Sequence, residues 1–485
     1  MESVLRRVFA CCDRLVWLGV VATFVAGGVL TSVTDAPVVA AQPARRPNIV
    51  VFLTDDQGYG DLSSFGHPTL RTVNIDRMAV EGIRLTSFYA APACTPSRAQ
   101  FLTGRYAFRS GLVVPYGPDA PIGIAPGEVT LGDALKQQGY RTGLMGKWHL
   151  GDFSSHPEFS PIRHGFDDFF GLPYSHDYRA PFVAPGPGVP LFRGLEEVER
   201  PVNANTLTRR FTDEAVRFMR ESRGQPFFLY IAYNMPHLPA GASAGFEEKS
   251  AAGRYGDAVE EIDWSVGRVH AVLKELGLDQ NTVTVFFSDN GPWSNAPPRS
   301  FQEGQTLWDT GTAGLLRGAK GTTWEGGMRV PGIIRWPGVI PPAQVSPQMV
   351  SELDLFPTFV HLAGGAVATG RPSDGYDILS FLAQGTATPR KELFYFAGRE
   401  LQAVREGRWK LRVAGGAGAD PSQPELYDLE RDPGERLNVA SSHAPLVGRL
   451  RARMEDFRSQ ATPVRAAAAA QQHFSLSNTN PPVSR

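Results

Sequence analysis

The chain has 485 residues, with 48 basic and 49 acidic side chains and a net charge of −1. That length allows a large core, and the charge balance excludes a global field for nucleic acid, so no nucleic-acid partner is expected. The 51 glycines and 39 prolines imply many turns and a site built from loops.

Arg6, Arg7 and Arg14 precede an apolar run from Leu15 to Leu30, and Val39-Ala40-Ala41 precedes Gln42. Charge, apolar stretch and small-residue exit form the pattern of a secretory signal over residues 1–41. The run is short for a membrane span and is broken by Gly19, Gly27 and Gly28, so cleavage near Ala41 is expected rather than anchoring. Arg6-Arg7-Val8-Phe9 resembles a twin-arginine signal only faintly. No later segment is apolar enough for a stable membrane span, and an exported protein is expected: periplasmic, secreted or in a lysosome-like compartment. Of the three cysteines, Cys11 and Cys12 fall in this leader. Cys94 is then alone in the mature chain and has no internal disulfide to form.

Four apolar runs of strand length end in unusual polar clusters. Asn48 to Leu53 ends in Thr54-Asp55-Asp56, and Arg141 to Met145 ends in Gly146-Lys147-Trp148-His149. Phe227 to Tyr233 ends in Asn234-Met235-Pro236-His237, and Thr282 to Phe287 ends in Ser288-Asp289-Asn290. Nearly continuous apolar strands are buried on both faces, as in a parallel sheet covered by helices. Helical patterns alternate with them. Thr130 can cap a helix to Gln138 that Gly139 closes. Tyr255, Val259, Ile262, Val266, Val269, Leu273 and Leu276 give one long amphipathic helix that stops at Gly277. The alternation predicts an α/β fold, whose ligands gather beyond the carboxyl ends of the strands. All four polar clusters lie at that edge. The stretches 153–205 and 293–316 read as long loops, with Trp293, Phe301 and Trp308 able to stack on a ring or pack the loop.

Later segments change character. Glu392 to Phe396, Leu401 to Arg405, Trp409 to Val413 and Glu425 to Leu429 read as short strands of a small antiparallel sheet. The expected organisation is a catalytic domain over 46–385, an antiparallel-sheet subdomain over 386–458, and a disordered tail over 459–485. No internal repeat is found.

Asp55, Asp56, Asp289 and Asn290 offer only oxygen ligands, which suit calcium or magnesium better than zinc. Asx residues also cap helices and open turns, but two such pairs at one sheet edge favour a metal. Arg98, Lys147, His149, His237 and Lys320 could encircle an anion whose transition state spreads negative charge over oxygens. Ordinary roles stand beside these. Lys147 can be a solvated strand-end lysine, Lys320 part of the flexible loop Gly318-Ala319-Lys320-Gly321-Thr322-Thr323, and both histidines simple hydrogen-bonding groups.

Cys94-Thr95-Pro96-Ser97-Arg98, followed by Ala99-Gln100-Phe101-Leu102-Thr103-Gly104-Arg105, resembles the signature of type I sulfatases. The resemblance runs from about Pro47 to about Asn438, with the arylsulfatase A and N-acetylgalactosamine-6-sulfatase branches most similar. Gly146-Lys147-Trp148-His149-Leu150-Gly151, Met235-Pro236-His237 and the segment from Gly318 to Gly327 fit the same pattern. The family implies an alkaline-phosphatase-like fold: a large, mostly parallel mixed sheet flanked by helices, with a smaller C-terminal antiparallel sheet. It implies Cα-formylglycine made from Cys94 by a formylglycine-generating enzyme. It also implies one calcium ion held by Asp55, Asp56, Asp289, Asn290 and the formylglycine oxygen.

The reaction implied is hydrolysis of a sulfate monoester of an aryl, sugar or lipid alcohol through the hydrated aldehyde. Asp289 helps deprotonate the nucleophile. Arg98 and Lys147 hold residue 94 and its sulfate. His237 and Lys320 support the leaving group, and His149 acts as base for sulfate release. Leu172-Pro173-Tyr174-Ser175-His176-Asp177 also resembles a sulfatase segment, its His and Asp fitting a pocket rim or a structural loop equally. Val73 stands before Asn74 where the family usually has proline, a change of local stiffness. Two other functions remain open: a phosphomonoester or phosphonate ester hydrolase of the same superfamily, and a non-catalytic secreted binding protein.

Overall fold

A computed structural model describes residues 46–180, 186–368, 370–413 and 423–460. The signal-like segment 1–41 and residues 461–485 of the expected tail lie outside them. The large sheet is built from β1 (Asn48–Thr54), β2 (Ile83–Tyr89), β3 (Arg141–Lys147), β4 (Asp168–Leu172), β5 (Leu191–Arg193) and β6 (Glu196–Glu199). β7 (Phe227–Ala232), β8 (Thr282–Ser288), β9 (Arg329–Arg335), β10 (Gln344–Ser346) and β11 (Val350–Ser351) complete it. Its order is β10-β2-β9-β8-β1-β7-β3-β4-β5-β6, with β11 added beside β2. The central strands β8, β1, β7, β3 and β4 are all parallel. β9 runs antiparallel to both neighbours, which makes the sheet mixed.

Alternation along β1 explains the layers. Ile49, Val51 and Leu53 point into one apolar cluster with Phe101, Leu131, Leu135, Leu355 and Phe359. Val50 and Phe52 point into another with Ile75, Phe211, Phe218, Ile262 and Val266. Each face is therefore covered by helices, and β1, β7 and β8 are buried at every position, as unbroken apolar strands require. The expected helix after Thr130 spans Leu131–Gln137, with a reciprocal cap between Thr130 and Asp133. The long amphipathic helix spans Gly253–Glu275, and Gly277 follows it with φ 69°.

The stretch 153–205, read as loop from sequence, contains β4, β5 and β6. Their short length and the glycine in Asp168-Phe169-Phe170-Gly171-Leu172 hide a strand period. β12 (Glu392–Ala397), β13 (Glu400–Glu406), β14 (Trp409–Arg412) and β15 (Glu425–Asp428) form the separate antiparallel sheet. A helix over Ala444–Gln460 follows and packs Leu450, Met454 and Phe457 against that sheet's Phe394, Val404 and Leu411. The sequence reading contained no helix there, and Ser459 and Gln460 belong to it rather than to a tail.

One glycine lets β3 pass close to the end of β7. Gly146 has φ 131°, and a Cβ there would lie 1.8 Å from the Ala232 carbonyl oxygen of β7. Gly146→Ala is expected to lose on the order of 3 kcal/mol of stability, read from urea unfolding. A midpoint equal to the parent's contradicts this packing.

Candidate active site

Parallel pairing of β1 with both β7 and β8, and of β3 with β7, brings four strand ends to one edge. Asp55 and Asp56 leave β1, Asp289 and Asn290 leave β8, Lys147 ends β3, and His237 follows β7 across a short turn. Cys94 opens the Cys94–Thr103 helix directly over them. Its Sγ lies 3.4 Å from Asp55 Oδ1 and 4.0 Å from Asp56 Oδ1. Asp55, Asp56, Cys94 and His237 each offer a ligand atom within 4.8 Å of the others. Asp289 stands just behind them: its Oδ1 accepts from the Asp56 backbone N–H at 3.2 Å.

The cations meet these acids in a fixed pattern. Arg98 donates from Nε (3.1 Å) and a terminal nitrogen (2.9 Å) to Asp289, and from the other terminal nitrogen to the Lys147 carbonyl at 2.7 Å. Lys147 pairs with Asp55. Lys320 reaches both Asp56 oxygens at 2.8 Å, and its ammonium lies 4.4 Å from the centre of the Trp293 ring. His237 Nε2 is 3.5 Å from Asp56, while its Nδ1–H donates to the Leu238 carbonyl at 2.6 Å. All ten residues singled out from sequence thus converge on one edge.

Burial sets the protonation states. It would raise Asp55 by itself, but Lys147, His237, Arg98 and Lys320 hold that carboxyl well below the usual range. Burial, reinforced by Asp55, pushes Asp289 upward against Arg98 and Lys147. Three carboxylates this close repel one another enough to leave one partly protonated unless more positive charge arrives. The Cys94 thiol is pushed well above its ordinary value by burial and by Asp55, more than Lys147 and Lys320 can offset. A thiol in that state is a poor nucleophile. His149 is held neutral by burial, with Lys147 and Arg98 adding to the effect. Its Nε2 lies 3.0 Å from the Tyr116 carbonyl, which accepts only from an N–H, so Nδ1 carries the lone pair. That Nδ1 is buried without a protein partner.

Asn290 tests whether a cation fits. Its Nδ2 donates to Asp56 at 2.8 Å, whereas its Oδ1 is buried with no partner. A buried, unpaired oxygen beside two carboxylates is what a hard cation would satisfy, and the donor set suits one.

Thr95, Ser175 and Asn234 were not singled out from sequence, whereas His176 and Asp177 were read there as fitting a pocket rim or a structural loop equally. Thr95 Oγ1 donates to the His149 carbonyl at 2.8 Å, and His149 has φ 58°, so this bond helps hold an unusual backbone. Ser175 Oγ, Asp177 Oδ1 and Asn234 Oδ1 are buried without partners. His176 packs edge-on to His237, 5.6 Å between ring centres, and accepts from Asn234 at 3.3 Å. Asn234 belongs to the polar cluster that ends the Phe227 to Tyr233 run, its only signal in the sequence.

A family model described as Sulfatase matches residues 47–366, and one described as N-sulphoglucosamine sulphohydrolase, C-terminal, matches residues 319–460. N-acetylgalactosamine-6-sulfatase of Sus scrofa is 39% identical over 469 residues, covering 86% of this chain and 85% of the relative. Arylsulfatase A of Homo sapiens is 37% identical over 437 residues, covering 82% and 84%. The crystal structure of the PsFucS1 sulfatase from Pseudoalteromonas sp. superposes with a TM-score of 0.76 at 29% identity, covering 86% of this chain and 90% of that one.

Arg98 bridges two buried acids, so its loss leaves uncompensated charge. Arg98→Leu is expected to cost ~3–5 kcal/mol of stability, measured by denaturant unfolding. A loss under ~1 kcal/mol would show that Asp289 needs no partner.

Proposed function

This chain belongs to the sulfatase family and is a sulfuric ester hydrolase, and we propose that it acts through formylglycine made from Cys94 beside one calcium ion. The observation that carries the proposal is the setting of Cys94: a buried, neutral thiol against Asp55 and Asp56, ringed by Arg98, Lys147 and Lys320. Such a thiol is poorly suited to attack by itself, yet its position is that of a nucleophile. Cys94 is only 1% exposed, so an enzyme that modifies it must act before the chain folds. A formylglycine-generating enzyme working on the unfolded, exported chain meets that need. Export rests on residues 1–41; among the described residues no helix is long and apolar enough to cross a membrane.

Asp55, Asp56, Asp289 and Asn290 would hold the cation, with residue 94 completing the set. Bound there, calcium would neutralise the crowded acids and polarise a sulfate oxygen as a Lewis acid. Residue 94, as a hydrated aldehyde, would supply one hydroxyl to accept the sulfuryl group and a second to expel it.

The remaining chemistry falls to the side chains. Asp289 accepts the proton that activates the first hydroxyl. Lys147 and Lys320, which neutralise Asp55 and Asp56, would place their charge beside the substrate sulfate. Arg98 keeps a fixed guanidinium at the base of the site, where charge develops on sulfate oxygens. His237 has its Nδ1–H committed to a backbone carbonyl, so Nε2 is the atom that gives a proton to the departing alcohol or phenol. Lys320 stabilises the same oxygen. His149, neutral and with Nδ1 unpartnered, would take the proton of the second hydroxyl, whose oxygen re-forms the carbonyl as the carbon–oxygen bond to sulfate breaks and sulfate leaves.

Four measurements test this. Mass analysis of the tryptic peptide Leu85–Arg98 is expected to find the aldehyde; an active preparation carrying only thiol defeats the proposal. Cys94→Ser is expected to accept sulfate at most once and to lose ~10³-fold or more in steady turnover. Chelation is expected to abolish hydrolysis of an aryl sulfate and lower the melting temperature, with calcium restoring both. A preference for the matching aryl phosphate would contradict the assignment.

A further inference from the structure

Lys320 lies on the loop 317–327, which has no regular structure before the short helix Glu325–Met328. On the active-site side the loop is held by backbone bonds from Lys320 N–H to the Pro292 carbonyl (2.9 Å) and from Gly321 N–H to the Pro92 carbonyl (2.6 Å). On the other side it rests on the antiparallel sheet, and three consecutive residues are gripped there. Thr323 donates its hydroxyl to Gln402 of β13 at 2.8 Å. The Trp324 ring lies between the guanidinium groups of Arg317 (3.6 Å) and Arg412 of β14 (3.4 Å). Glu325 accepts from Tyr395 of β12 at 2.9 Å and, from the large sheet, from Tyr89 of β2 at 2.5 Å.

Lys410 of β14 is the centre of this grip. Its side chain is fully buried, and its ammonium donates to the Thr323 carbonyl and to Glu325, each at 2.9 Å. It also pairs with Glu435 at 2.8 Å. Two hydrogen bonds and one ion pair thus meet at this ammonium, and Glu435 in turn accepts from the Glu325 backbone N–H at 2.7 Å. Burying one ammonium and two carboxylates brings little net stability compared with apolar packing. What it does supply is geometric specificity, because a displaced loop would leave these buried groups short of partners.

We propose that Lys410 is a positioning residue for sulfate-ester hydrolysis: acting from the antiparallel sheet, it fixes the 318–327 loop so that Lys320 meets the leaving-group oxygen. The proposal rests on the role given to Lys320 above. It makes the antiparallel sheet part of the catalytic apparatus, although none of its residues touches the reacting atoms.

The test uses Lys410→Met in the full chain, with two readouts. Amide hydrogen exchange of 318–327 is expected to quicken about ten-fold or more, with the Gly253–Glu275 helix unchanged. The loss in kcat/KM is expected to be about ten-fold greater for phenyl sulfate than for 4-nitrophenyl sulfate, whose leaving group needs little help. Lys320→Met should give the same discrimination, and the double variant should add no more. Equal losses on both esters, or unchanged exchange in the loop, overturn the proposal. If Lys410→Met does not fold, Gln402→Leu, which removes one bond from the same sheet to Thr323, decides on the same readouts. If the parent enzyme cleaves neither ester, the assignment of the site fails, while the exchange readout still decides whether Lys410 holds the loop.

Discussion

Three buried carboxylates at the ends of two neighbouring strands make up the constraint on which the site depends. Asp55, Asp56 and Asp289 are each at most 2% exposed, and β1 and β8 are paired along their full length, so the acids cannot separate without breaking the sheet. Desolvated like charges must be answered by positive charge or by protons. The fold answers with Arg98, Lys147 and Lys320, each from a different element. The cationic ring is thus required by the acids as much as by any substrate.

The strand ends were legible in the sequence because a fully buried strand is a simple signal: an apolar run that stops abruptly. Where it stops in Asp-Asp or Asp-Asn, the polar pair is conspicuous. Parallel pairing then does the rest, since every such end falls on one edge. Thr130 and Gly277 were legible for a different reason, because caps and left-handed stops are local. β4 to β6 were not, as short edge strands have too few residues to show a period. The helix Ala444–Gln460 was obscured because only Leu450 and Met454 are buried along it, which leaves a weak apolar stripe.

The roles of Lys410 and Glu352 were illegible for a deeper reason. Neither belongs to a motif, and each acts through partners far away in sequence. Lys410 looks like any strand lysine until β14 is folded against 323–325. Sequence reasoning finds residues that share a pattern; it does not find a buried polar group whose partners lie in distant segments.

Glu352 extends the same logic to residue 94. Burial pushes its carboxyl well above the usual range, against the hydrogen bonds it accepts from Ser97, Gln100 and Ala91 beneath the Cys94–Thr103 helix. There it meets Ser97 at 2.5 Å, Gln100 at 2.9 Å and the Ala91 N–H at 3.1 Å. Every residue of that helix is buried: Thr95 toward His149, Arg98 toward Asp289, Ser97 and Gln100 toward Glu352, and Phe101 and Leu102 into the core. A helix with no solvent face has no freedom to rotate or slide, because each polar side chain would lose a specific partner at a cost of ~1–3 kcal/mol. The start of the helix is therefore over-determined, and so is the position of residue 94 against Asp55. The loop that carries Lys320 has no such helix around it, which is why its placement depends on the distant sheet.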